Sequence, residues 1–142
     1  MNPQWTETTF KLLLVAGACW VLVTAMGVQP DERGYGTHED LGMEPCGYLL
    51  KHGHPCVTCG MTTAFSHTVR LQLPHAFQAS PAGMLLCLLL IAFPAWMIHS
   101  IVTGSPWLRF LLWPYGKLIP VVLFLLILAS WLYKIMVPTP LQ

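Results

Sequence analysis

Residues 82–102 read AGMLLCLLLIAFPAWMIHSIV, and this run decides the fold. It is about 21 residues without a formal charge, enough helix to cross a hydrocarbon core of ~30 Å. Pro81 precedes it, where a missing N–H costs little, and Pro94 is expected to kink it, which neighbouring helices tolerate. Cys87, deep in the run, reads as a small packing residue, and His99 falls near its interfacial end. The composition agrees: 55% of the 142 residues are hydrophobic and only 9% charged. A soluble domain carries about 25% charge, so the missing polar surface implies a bilayer as solvent.

Downstream, Gly104-Ser105-Pro106 makes a turn, and Trp107, Arg109, Trp113, Tyr115 and Lys117 form an aromatic and basic belt suited to headgroup depth. Leu118–Val137 is a further apolar run, with Pro120 in its first turn and Lys134 able to snorkel from its last. Pro138-Thr139-Pro140 stops it. Upstream, Leu12–Val28 runs about 17 residues without a charge, near the lower limit for spanning. Lys11 with LLLVAGACWVLVTA also fits a signal peptide with Val23 and Ala25 at plausible cleavage positions, and Ala16-Gly17-Ala18-Cys19 has the outline of a lipidation site. The uncleaved span is the reading adopted.

The expected fold is therefore all-α integral membrane. One domain, 1–142, has spans at about 12–28, 82–102 and 118–137, and a Cys-rich loop and interfacial or re-entrant helix at 46–80. Residues 29–44 hold Pro30, Gly34, Gly36, Gly42 and every acid except Glu7, which predicts a solvated, poorly ordered loop. From Met61 the pattern turns helical. Met61, Ala64, Phe65, Thr68 and Val69 recur at i, i+3, i+4, with Thr62, Thr63, Ser66, His67 and Arg70 on the other side. That polar face is expected to meet solvent or headgroups, Arg70 a phosphate, with a small site beside the cysteines as the alternative. The segment either lies in the interface or tucks against the bundle. Lys11, Arg109 and Lys117 on short segments place the N-terminus in the cytoplasm and the cysteines outside.

The chemistry concentrates in Cys46–Arg70, CGYLLKHGHPCVTCGMTTAFSHTVR. Cys56-Val57-Thr58-Cys59-Gly60 is a C-x-x-C-G turn that sets two thiols side by side. Zinc or iron would need about four ligands, so Cys46 and one of His54, His67 or His52 would complete the set. An oxidising compartment would instead favour a disulfide pinning the loop, with Cys46 bonded to Cys56 or Cys59. A helix after the turn would lower a thiol pKa and allow Cys56 and Cys59 to work as a redox pair. Reduced thiols packed against the bundle are the fourth possibility. No P-loop, GxGxxG, GxSxG, Ser-His-acid set or carboxylate pair occurs, and a formal charge of +1 argues against nucleic acid.

Cys46, Gly53-x-Pro55-Cys56-x-x-Cys59-Gly60-Met61-Thr62, Arg70 and Ser80-Pro81-x-Gly83 before a long apolar helix resemble a small bacterial membrane family known as domain of unknown function 2752. The likeness covers roughly Cys46 to Leu90 and, in outline, the following span. The family tends to read C…G-x-P-C-P-x-C-G-x-T-R-A…N-P-x-G. Here Val57 replaces proline, Thr63 replaces arginine and Ser80 replaces asparagine, which weakens any anion-binding role at position 63. The resemblance implies a bacterial integral membrane protein with the cysteine loop between its first two spans, and it implies no activity. The histidines lie outside the family pattern. The functional expectation is a small accessory protein of the bacterial inner membrane whose stapled loop meets a protein partner or a second copy. The alternative is a membrane thiol-disulfide oxidoreductase using Cys56 and Cys59. A transporter is disfavoured, because three spans enclose little volume in one copy.

Overall fold

The computed structural model describes residues 3–104 and 116–136, and among these every regular element is helical. Helix α1 (Pro3–Gly27), α5 (Pro81–Thr103) and α6 (Ile119–Met136) contain the three segments long and apolar enough to span a membrane. These are Trp5–Gly27 and Pro81–Thr103, each of 23 residues, and Ile119–Met136 of 18. The large side chains they turn outward, such as Trp20, Val102 and Phe124, are unpartnered apolar surface of the kind a bilayer covers.

The first span starts earlier than Leu12. No helix breaker separates Trp5 from Lys11. Glu7 and Lys11 pair at 3.1 Å across one turn, and the Thr9 hydroxyl donates to the Trp5 carbonyl at 2.8 Å. The polar residues therefore continue the helix instead of preceding it. At α5, Ser80 caps the start by accepting from the Gly83 N–H at 3.3 Å, and the helix runs through Pro94 without interruption.

Three short helices fill one end of the bundle: α2 (Gly47–His52), α3 (Met61–Val69) and α4 (Leu73–Ala79). Helix α3 is central, packed on α1, α4 and α5, and none of its residues is exposed. Its approach to α5 is close because Gly83 has no side chain. A Cβ there would lie 3.0 Å from the Ala64 Cβ and 3.2 Å from the Met61 Cα. Of the two placements open to this helix, it takes the one against the bundle.

That position overturns the solvated polar face. Thr63, Ser66 and Thr68 are fully buried, each bonded inside the protein. Arg70 meets no phosphate. Its guanidinium donates to the carbonyls of Ala25 (3.2 Å) and Met26 (2.8 Å) in the last turn of α1 and of Val28 (2.9 Å) just after it. The loop after α1 is also not the loose segment its composition suggests. Arg33 clamps Asp31 at 2.6 Å and Glu39 at 3.1 Å, a 3-10 turn forms at Glu39–Leu41, and buried Thr37 bonds Thr63 at 2.8 Å. Trp107, Arg109, Trp113, Tyr115 and the 138–140 stop lie outside the described residues, as does the Lys117 side chain.

Candidate functional site

The cysteine turn is framed by two glycines in the left-handed region, one of them with no room for a side chain. Gly53 ends α2 in the left-handed region (φ +68°), and Gly60 joins the turn to α3 at φ +74°. A Cβ on Gly60 would lie 2.5 Å from the Ala79 carbonyl oxygen and 2.7 Å from that of Gly34. The turn is thus wedged between the acidic loop and the end of α4. Cys59 N–H bonds the Cys56 carbonyl at 3.1 Å, which folds both thiols to one side.

Cys46, which precedes α2, reaches the same place, and the three Sγ atoms lie within 4.8 Å of one another. Cys56 Sγ and Cys59 Sγ are 3.3 Å apart, and Cys56 Sγ meets the Thr58 hydroxyl at 3.4 Å. All five cysteines are free thiols. The pair is chemically unequal. Burial opposes ionisation of Cys56, but hydrogen bonds from Thr58, Cys59 and Cys46 outweigh it and bring its pKa down to about 7. Burial first, and then the hydrogen bond to Cys56, push Cys59 up to about 12. Cys56 is half-buried and Cys59 is buried.

From the far side, α6 closes on the turn. Trp131 Nε1 donates to the Pro55 carbonyl at 3.2 Å, and Lys134 Nζ donates to the carbonyls of Cys59 and Val57. Lys134 is 8% exposed, so it does not snorkel to the headgroups. No carboxylate pairs with it among the described residues, and the thiols are the nearest groups able to carry a compensating negative charge. Spacing alone gives no hint of this contact, since α6 follows the cysteines by some 75 residues.

On the side facing α1, Cys46, Cys56 and Cys59 form part of the wall of a mainly apolar cavity of about 610 Å³. Thr62, Thr63 and Ser66 of α3 line it, with Trp20, Val21 and Thr24 of α1 opposite. His38, which carried no signal in the sequence, lines it too. The histidines weighed as ligands are elsewhere. His54 is exposed beside a smaller cavity with Lys134, and the His52 ring meets Tyr48 at a tilt of 40°, centroids 4.6 Å apart. His67 bonds Gln72 at 2.7 Å and stacks on His75 at 5.5 Å, at the other end of α3. Among the described residues the cysteines alone form a ligand cluster.

Three membrane-length helices and a partly buried trithiol cluster define a small helical membrane protein with a cysteine centre. Residues 46–94 match the model of the family described as "Protein of unknown function (DUF2752)", the family that the cysteine motif resembles. No curated protein and no solved structure matches the chain.

Proposed function

We propose that the protein is a membrane thiol-disulfide exchanger in which Cys56 attacks and Cys59 resolves. The observation that carries this is the contact between two unequal thiols, 3.3 Å apart, one half-buried with a pKa near 7 and the other buried with a pKa near 12. An S–S bond of ~2.05 Å needs about 1 Å of further approach. In the reaction, the Cys56 thiolate attacks a partner disulfide, forms a mixed disulfide and releases one partner thiolate. Cys59 then gives its proton to the second leaving thiolate and its sulfur attacks Cys56. The Cys56–Cys59 bond forms as the mixed disulfide breaks, and two electrons pass to the partner. The reverse sequence oxidises a partner dithiol. Thr58 and Lys134 hold the turn in place for both directions. The partner is a protein or small thiol on the face where the cysteines lie, which we assign to the outside of a bacterial inner membrane from the short basic segments on the other face.

Replacing Cys59 with Ser tests this. The variant should fold and accumulate mixed disulfides at Cys56 that reductant releases, and Cys56→Ser should accumulate none. A folded Cys59→Ser protein that traps nothing, beside a wild type inert to glutathione disulfide, would end the reading.

Cys46 favours a second one. A redox pair needs two thiols, and the third converges as in a metal-thiolate centre. Cys46, Cys56 and Cys59 would supply three ligands to zinc or iron, making the loop a metal-stapled element of an accessory protein. Near-stoichiometric metal released together with thiols from chelator-free protein would establish it in place of exchange.

A further inference from the structure

Thiol exchange with a partner leaves open where the electrons go, and the cavity beside the cysteines bears on that. Three features of it are independent of the thiol pair. It is walled on one side by Trp20, Val21, Thr24 and Ala25 of α1 and by Val28 just after it. Trp20 is 76% exposed and Val21 44%, and both lie within the Trp5–Gly27 span. With a rise of about 1.5 Å per residue, Trp20 stands roughly 10 Å inside the end of that helix. The exposed Trp20 and Val21 on this wall, which we take as the mouth, therefore lie at a depth where a spanning helix meets hydrocarbon. Its volume, about 610 Å³, falls within the ~300–1,000 Å³ of small-molecule sites. Its lining includes His38 and Thr62, whose polar side chains no group of the protein bonds among the described residues. Thr37, Thr63 and Ser66, by contrast, satisfy one another or the backbone.

A ligand suited to this space is lipid-soluble and carries oxygen atoms at one end for His38 and Thr62. To react with a dithiol it must also accept two electrons and two protons. A quinone has all three properties. We propose that the cavity binds a membrane quinone with its ring against Cys56, so that the cysteine pair is oxidised from within the bilayer. The proposal rests on the thiol-exchange reading above. In balance, the S–S bond of Cys56 and Cys59 forms, the two sulfurs lose two electrons and two protons, and the quinone becomes a hydroquinone. The Cys56 thiolate adds to the ring. Cys59 then gives up its proton and attacks the Cys56 sulfur, which expels the ring with the electron pair of the broken S–C bond, and the two protons released by Cys56 and Cys59 pass to the ring oxygens, relayed one at a time through His38.

The test uses the full chain in detergent, reduced and freed of reductant. A short-tailed benzoquinone is the probe in one arm and glutathione disulfide in the other. Hydroquinone is followed by absorbance, and thiols and adducts by mass spectrometry. About one hydroquinone per protein should appear together with a Cys56–Cys59 disulfide. Val21→Trp and Thr24→Trp, which fill the mouth, should lower the quinone rate relative to the glutathione rate by tenfold or more, and His38→Gln should do the same. Leu13→Trp, on the same helix away from the cavity, should keep the ratio. Quinone adducts on Cys56 or Cys19 without hydroquinone would overturn the proposal, as would a ratio unchanged by filling the mouth. Exchange with glutathione that survives those results leaves the thiol reading standing, whereas inertness in both arms removes both.

Discussion

At the scale of single residues, the centre depends on how differently two neighbouring thiols are treated. Cys56 is reached by solvent and accepts hydrogen bonds that favour its thiolate, whereas Cys59 is buried behind it. Only the thiolate reacts, so alkylation of Cys56 should rise with pH and level off with a midpoint near 7. Cys59 should stay unmodified throughout the neutral range. Peptide mass spectrometry after brief iodoacetamide pulses would read both, and equal labelling of the two would contradict the asymmetry. Gly60 is the residue on which this geometry stands. Gly60→Ala drives a Cβ into two backbone oxygens at a left-handed φ, which should cost at least about 2 kcal/mol. Gly53→Ala has open space around it and should cost only about 1–2 kcal/mol from the backbone conformation. Thermal unfolding of the two variants in detergent separates the cases.

Among the elements, α3 is the piece that joins the others. Its buried polar side chains do not face water; they satisfy the ends of neighbouring segments. Ser66 donates to the Val28 carbonyl at 2.6 Å, and Arg70 covers the last carbonyls of α1. A cation over a helix C-terminus also opposes the negative end of its dipole. Arg70→Ala removes the guanidinium from the Ala25 and Met26 carbonyls and should cost on the order of 2 kcal/mol. Arg70→Lys should recover only part, because an ammonium cannot reach carbonyls on both sides as a guanidinium does. The acidic loop has its own control. The Arg33 hydrogen bond holds the Asp31 carboxyl below its ordinary value of 3.8. A lowered folded pKa stabilises above the unfolded value and is lost as pH falls through the folded one. Pepsin cleavage around Leu41 should therefore increase below about pH 3.8, and Asp31→Asn should already be open above it. Cleavage that ignores both changes would show that the clamp does not hold the loop.

For the whole molecule, the long-range contact of α6 with the cysteine turn links the third span to the chemistry. Trp131 and Lys134 bond the carbonyls of Pro55, Val57 and Cys59, while α6 otherwise touches α5 sparsely. Lys134→Met keeps the bulk of the side chain and removes the donor. The turn should then loosen, and Cys59 should become open to alkylation at neutral pH while the spans stay folded by circular dichroism. Unchanged protection of Cys59 would mean that burial by α4 and α6 suffices without the lysine.

The apolar runs alone determined the three-span helical fold, because charge-free stretches of that length have one stable arrangement in a bilayer. The cysteine spacing likewise marked Cys46, Cys56 and Cys59 as the centre. Local pattern was misleading for Thr63, Ser66 and Arg70. Periodicity separates polar from apolar faces but does not tell water from a neighbouring carbonyl, and both satisfy a hydroxyl or a guanidinium equally well. Composition failed for residues 29–44 for the same reason, since acids and glycines can be tied by one arginine and one buried threonine as readily as solvated. His38, Trp131 and Lys134 became part of the site only through packing. Each is brought there from another segment by the way the helices lie together, a relation between distant segments that no local run of residues encodes.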